Sequence, residues 1–305
     1  MKLKMKRITI LAITLSVILI QTSPGSSICS DVEVPSDTEQ DHPYTNAEMS
    51  QWFFAETDNP KALVLVIHGL NQKPSKWKEM ISFLNSIDMH VYRLTLKGHG
   101  GAPFEDMETI TADAWRDDFI NGYCRIEYLF PELPKILLAY STGALVAIEY
   151  QQAHHTSLFD KQILLAPAIS LRFYVYLIKP FTSVYSYIPS GSPEAYRANQ
   201  KGTSMAAYQA LFDLLKDFDG QIDRQLLDTE TIILTSPKDE LVSLKGIRDM
   251  LQQNQTNKWA VMPIQIEEST LTPAYYHLII DSASLGDSGW KLMTKKIKDF
   301  IDLDQ

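Results

Sequence analysis

Lys135-Ile-Leu-Leu-Ala-Tyr-Ser-Thr-Gly-Ala-Leu-Val-Ala-Ile-Glu-Tyr-Gln-Gln152 is the stretch on which the fold turns. Its first six residues are an apolar run of the kind buried on both faces in a parallel sheet, and Thr142–Gln152 reads as a helix rich in small residues. Between them stands Ala139-Tyr-Ser-Thr-Gly143. Small residues two before and two after a serine permit a sharp strand-to-helix turn that larger side chains would block. Such a turn lifts the Ser141 hydroxyl above the sheet. It also sets the N–H of Thr142 at a helix N-terminus, where developing negative charge is stabilised. The five-residue pattern alone is weak, and a capping Ser or Thr at an ordinary helix would also satisfy it. The flanking strand and helix carry the reading.

Outward from this point the chain alternates. Lys61–Ile67, His90–Leu96, Lys161–Ala166, Thr231–Thr235 and Trp259–Ile264 read as further strands. Ser75–Asp88, with apolar residues at 77, 80, 81 and 84, and Thr111–Phe130, with Trp115, Phe119, Tyr123 and Ile126 on one stripe, have helical spacing, as does Ser288–Phe300. Alternating strands and helices predict an α/β fold: a mostly parallel central sheet with helices on both faces. The alternation lapses between about Ile169 and Asp228, a segment rich in Phe and Tyr that reads as an insertion between two sheet strands.

A nucleophilic serine needs a base, and the base an orienting acid. Of seven histidines, His277 follows the last strand and a Pro-containing loop. His154 and His155 end the helix that begins at Ser141, about 20 Å away at ~1.5 Å per residue. His99, in Lys97-Gly-His-Gly-Gly101, reads as a loop stabiliser, and His68 as a structural imidazole. For the acid, Asp239 sits in Ser236-Pro-Lys-Asp-Glu240 directly after an apolar strand; Glu240 is the alternative and Asp281 a weaker one. His68-Gly69-Leu70 ends an earlier strand, where Gly69 lets the chain turn so that the N–H of Leu70 faces the serine beside that of Thr142.

The order Ser141, Asp239, His277 on this alternation resembles the α/β-hydrolase family over about residues 48–303. It looks most like the lysophospholipase, monoglyceride-lipase and serine-aminopeptidase-like branch. The carrying motifs are Val64–Leu70, Lys97–Gly101, Leu137–Gly143 and Ser236–Asp239. The resemblance implies Ser141 as nucleophile, His277 as base, Asp239 as orienting acid, and the N–H groups of Leu70 and Thr142 as an oxyanion hole. Two positions depart from the pattern: Ala139 replaces the usual first Gly, and Thr142 stands where Met or Gln is common. The resemblance makes 169–228 a helical cap over the site. The expected domains are a leader (1–27), an arm (28–47), a core in two parts (48–168 and 229–305) and the cap. The expected activity is hydrolysis of carboxylic esters, lipid-like acyl esters above all, with no metal or organic cofactor implied. A hydrolase-fold binding protein without activity, and an acyltransferase or amidase on the same triad, are the competing classes. Tyr208–Phe218 (YQALFDLLKDF) fits a helix that touches a lipid interface or one that is simply packed.

The ends of the chain speak to its destination. Lys2, Lys4, Lys6 and Arg7 precede the 13-residue apolar run Ile8–Ile20, then a polar, small-residue stretch. That is the order of an export signal, and the run is short of the roughly 20 residues a membrane-spanning helix needs. An uncleaved anchor is the alternative. Ile28 stands where a lipoprotein needs a small residue before Cys29. Of the 305 residues, 28 are Lys or Arg and 37 Asp or Glu, a net charge of −9; loss of the leader removes four positive charges and leaves −13. With no basic run beyond residue 7, binding to nucleic acid is not expected. Two cysteines exclude a multi-thiolate metal site. Export permits a disulfide between Cys29 and Cys124, but the local pattern favours a lone buried thiol at Cys124.

Overall fold

Alternate residues of Ala62–Ile67 point to opposite faces, and all six are buried. Leu63, Leu65 and Ile67 enter one apolar cluster, and Ala62, Val64 and Val66 another. A strand with no polar face must be covered on both sides, and this one is. In the computed structural model, residues 28–30, 32, 47–101, 103–266, 269, 271 and 274–302 are described. The leader 1–27 and most of the arm lie outside them.

The strands are β1 (Gln51–Phe53), β2 (Ala62–Ile67), β3 (Met89–Leu94), β4 (Lys135–Tyr140), β5 (Lys161–Leu165), β6 (Tyr187–Ile188), β7 (Thr203–Ser204), β8 (Glu230–Thr235) and β9 (Trp259–Pro263). Seven form one sheet in the order β1-β3-β2-β4-β5-β8-β9. Every pairing is parallel except that of β1 with β3. β6 and β7 make a separate antiparallel ribbon. The helices used below are α1 (Lys78–Ser86), α2 (Ala112–Leu129), α3 (Thr142–Ala153), α4 (Met205–Phe218), α5 (Leu244–Gln253) and α6 (Ser282–Asp302). Helices α2 to α5 pack on the face of Leu63 and Leu65, and α1 and α6 on the other. Trp115 and Phe119 of α2 are wholly buried; truncating either to Ala costs about 3–5 kcal/mol.

The expected strands and helices are present with ends shifted by a few residues. Three features were not foreseen. β1 is a three-residue antiparallel edge, too short to show a period. α5 buries only Ile247, Met250 and Leu251 in a polar sequence. α6 begins at Ser282 rather than Ser288 and breaks at Gly286, whose φ of 73° is open to glycine.

The lone-thiol reading of Cys124 is corrected. Cys29 and Cys124 form a disulfide, with Cα atoms 5.4 Å apart and 95 residues between them in sequence. Ile28, Cys29 and Val32 pack on the core cluster that holds Cys124. That docking, a long-range packing event, brings the two sulfurs together; neither local sequence contains a hint of it.

Between β5 and β8 the chain leaves the sheet and returns. It forms a 3₁₀ helix at Phe173–Phe181, the ribbon β6–β7, and α4, whose N-terminus is capped by Ser204 Oγ accepting from the Ala207 N–H. The expectation of a helical cap did not include the ribbon. The outgoing stalk is held by a bridge between Leu171 and Val242 and by the Arg172 N–H donating to the Leu241 carbonyl. The loop between β6 and β7 is held by a bridge between Gln72 and Arg197.

Candidate active site

β4 ends at Tyr140 and α3 starts at Thr142, so the whole turn falls on Ser141. Its backbone has φ 51° and ψ −116°, a conformation L-residues avoid and a mark of stored strain. The Leu165 carbonyl accepts from its N–H, and its own carbonyl accepts from the Ala168 N–H, so β5 and the loop after it grip the turn. Gly143 is required: a Cβ there would lie 2.4 Å from the His68 carbonyl oxygen. Gly69 is required for a related reason. Its Cβ would meet the Tyr140 ring at 2.7 Å and Ser141 Cβ at 3.1 Å, so only glycine lets the loop after β2 run against the serine. Ala139 is fully buried and accommodated without distortion of the strand register.

The three sequence-predicted residues meet. His277 Nε2 lies 2.9 Å from Ser141 Oγ, and His277 Nδ1 lies 2.8 Å from Asp239 Oδ2. With Nδ1–H donating to the carboxylate, Nε2 is free to accept from the hydroxyl, the tautomer a base at this position needs. Asp239 is fully buried, and its Oδ1 accepts from the N–H groups of Leu241 and Val242, both at 2.8 Å. The turn after β8 thus supplies the hydrogen bonds that a buried carboxylate requires.

Glu240 is not the acid; its role was missed. Its Oε1 accepts from the Tyr276 N–H at 3.0 Å and its Oε2 from the His277 N–H at 2.9 Å. Tyr140 Oη donates to the His277 carbonyl at 3.2 Å. The histidine is therefore held by its backbone on both sides as well as by its ring. Burial raises the Tyr140 hydroxyl well above its ordinary pKa, so it stays a donor. Asp281 is likewise not the acid: it accepts from Tyr196 Oη at 2.7 Å and from the Ser284 N–H at 2.9 Å.

Leu70 and Thr142 line the cavity, and no hydrogen bond from either backbone N–H to another group is found among the described residues. The loop that carries Leu70 rests on two buried imidazoles. His68 Nδ1–H donates to the Gly69 carbonyl and its Nε2 accepts from the Leu96 N–H. His99 Nε2 accepts from the Asn71 N–H at 2.9 Å, and its Nδ1 faces the Leu96 and Lys97 carbonyls. Acceptance at Nε2 requires the neutral ring in both. Burial, helped at His68 by its neighbour His99, lowers both: His68 well below its ordinary value and His99 to about 4. Both histidines are structural, as expected. His154 bonds the Tyr150 carbonyl and His155 pairs with Asp223, away from the site. His42 lies outside the described residues.

Above Ser141 is a cavity of about 350 Å³. The insertion contributes Tyr174, Val175, Ile178, Tyr208 and Leu211 to its walls, and no Lys or Arg lines it among the described residues. No cluster of His, Cys, Asp and Glu suited to a metal ion occurs among the described residues.

A mostly parallel sheet with a strained serine at the β4–α3 turn, and acid and histidine after later strands, defines an α/β-hydrolase. The chain belongs to the serine aminopeptidase S33 family: the family's model matches residues 58–216, just over half of the chain. It is 28% identical to monoglyceride lipase of Rattus norvegicus over 145 residues, which is 44% of this chain and 47% of that protein. The chain spans about half the length of the curated relatives it matches. Among solved structures, a soluble variant of monoglyceride lipase from Saccharomyces cerevisiae superposes with a TM-score of 0.65 at 14% identity, covering 83% of this chain and 91% of that one. The structure of the metagenome-derived lipolytic enzymes LipS and LipT gives 0.64 at 15% identity, covering 84% and 97%. At these identities the superpositions establish the fold.

Proposed function

We propose that this protein is an exported serine hydrolase that cleaves carboxylic esters with lipid-like acyl groups. The observation that carries the reading is the unbroken chain of hydrogen bonds from Asp239 through His277 to Ser141. His277 takes the proton of Ser141 Oγ as the oxygen attacks the ester carbonyl. The resulting oxyanion accepts from the N–H groups of Leu70 and Thr142. The protonated His277, stabilised by Asp239, donates to the leaving alcohol, and an acyl-enzyme remains. Water then loses a proton to His277 and attacks the acyl carbon, which releases the acid and restores the serine.

The cavity supports an acyl substrate: its walls are largely Leu, Ile, Val and Tyr, and among the described residues no Lys or Arg lines it to pair with an anionic group. The outer face of the insertion supports work at a lipid surface. Phe173 is 78% exposed, and Leu177, Val184 and Tyr185 of the same insertion are exposed as well. Exposed apolar side chains gathered on one segment are a mark of an apolar interface. Export is supported by the order of the leader sequence and by the Cys29–Cys124 disulfide, since disulfides persist in oxidising compartments.

The test is hydrolysis of p-nitrophenyl esters from acetate to palmitate by residues 28–305 and by Ser141→Ala. The expected result is turnover in the first and a fall in kcat of several orders of magnitude in the second, with unchanged circular dichroism. Equal turnover in both would remove Ser141 from the reaction.

A further inference from the structure

Asn71 is 2% exposed, and none of its polar groups is idle. Its N–H donates to His99 Nε2, and its carbonyl accepts from the Ala198 N–H at 3.0 Å. Its Oδ1 accepts from the Asn199 N–H at 2.7 Å, while Nδ2 donates to the carbonyls of Asn199 at 3.2 Å and Gly202 at 3.1 Å. One residue therefore bonds both His99 and the loop between β6 and β7 of the insertion. Flanking bonds extend the seam: the Lys73 N–H donates to the Tyr196 carbonyl, and Gln72 bridges Arg197. Asn71 also sits at φ 49°, a left-handed conformation that Asn tolerates better than most residues. Its neighbour in sequence is Leu70, which lines the cavity.

We propose that Asn71 is a positioning residue for the oxyanion hole. By clasping Asn199 and Gly202 it makes the loop between β6 and β7 part of the rigid frame that aims the Leu70 N–H at the reacting carbonyl. The placement of the insertion and the stabilisation of the transition state are then one mechanical unit, and the roof of the pocket is a component of catalysis rather than only a wall. The inference rests on the ester-hydrolase reading above. Its energetic scale follows from oxyanion donors: losing one outright costs about 10²–10³ in kcat, and a misplacement of ~1 Å can cost about 10².

Asn71→Gly tests this, because glycine keeps the positive φ at no cost and deletes only the side-chain clasp. Rates on p-nitrophenyl acetate, hexanoate and dodecanoate are normalised to active sites titrated with a p-nitrophenyl alkylphosphonate. A positioning role predicts a kcat loss of about 10-fold or more, equal within about twofold for all three esters, with KM little changed. A residue that merely ties down the pocket wall would give a loss that resides in KM and grows with acyl length; that result, or kcat on acetate within threefold of wild type, would overturn the proposal. Where Asn71→Gly yields no folded protein, Asn71→Asp keeps the side-chain shape but loses both Nδ2 donors, and the same two patterns decide. Absence of turnover and of phosphonate labelling in the wild-type protein would instead overturn the ester-hydrolase reading, and the proposal with it.

Discussion

The loops at the C-terminal edge of the sheet and the outer face of the insertion are both rich in large side chains, yet they are built on opposite terms. At the sheet edge Ser141, Asp239 and His277 are nearly or wholly buried, and each is fixed by two or more hydrogen bonds. On the 3₁₀ helix Phe173–Phe181 only Val175 is buried, and Phe173 and Leu177 point into solvent. The first region gains catalytic geometry by giving up freedom. The second leaves apolar surface exposed, at a cost that only a lipid or apolar partner would offset. A mutation should therefore act on chemistry in one region and on association in the other.

The sharpest way to break this contrast is Asp239→Asn. The change leaves the shape of the site intact but spoils the tautomer of His277, and kcat on a soluble ester should fall by about 10⁴. A drop of less than tenfold would mean that the buried bonds at the sheet edge do not set the chemistry.

Removal of the disulfide probes whether rigidity at the site depends on the N-terminal arm. Cys29→Ser opens a bridge across 95 residues, and denaturant unfolding should show a loss of about 2–4 kcal/mol. Turnover of p-nitrophenyl acetate at 25 °C should be unchanged, because the described arm residues Ile28, Cys29 and Val32 pack on the cluster that holds α2 and do not line the pocket. Loss of turnover in folded protein would tie the arm to the site.

The buried histidines predict a pH signature confined to the fixed region. In the unfolded chain His99 titrates near its ordinary value of about 6.5, whereas in the fold burial lowers it to about 4. Its neutral form therefore contributes stability that is fully present above about pH 6.5 and lost as pH falls through about 4, at most about 3 kcal/mol. Asp118, raised by burial to about 6, runs the other way, its cost relieved as pH falls. In His99→Gln the stability difference between pH 7 and pH 4.5 should shift by about 2 kcal/mol in the direction of greater acid tolerance. An unchanged difference would show that His99 is not neutral in the fold.

The smallest expected effect on chemistry lies on the open side. Phe173→Ser with Leu177→Ser should leave kcat on the acetate ester within about twofold while reducing sedimentation with zwitterionic phospholipid vesicles severalfold. Equal vesicle binding would remove the exposed face as the site of association.

Much of the core architecture could be read in advance, because it is written in local patterns. A strand with no polar face implies cover on both sides, and small residues around Ser141 imply a turn that only they permit. Asp239 and His277 were legible because each follows the end of a strand, where a parallel sheet gathers its loops. The contacts between Asn71 and Asn199, Glu240 and His277, and Cys29 and Cys124 were not legible. They join residues 128, 37 and 95 positions apart, and no local period or spacing encodes which side chain a folded chain will bring to a given backbone group. The sequence by itself determined the layers and the sharp turn at Ser141, since hydrophobic period and steric permission act over a few residues. Tertiary structure alone decided how those groups are held, because a buried hydrogen bond depends on what the rest of the chain places opposite it.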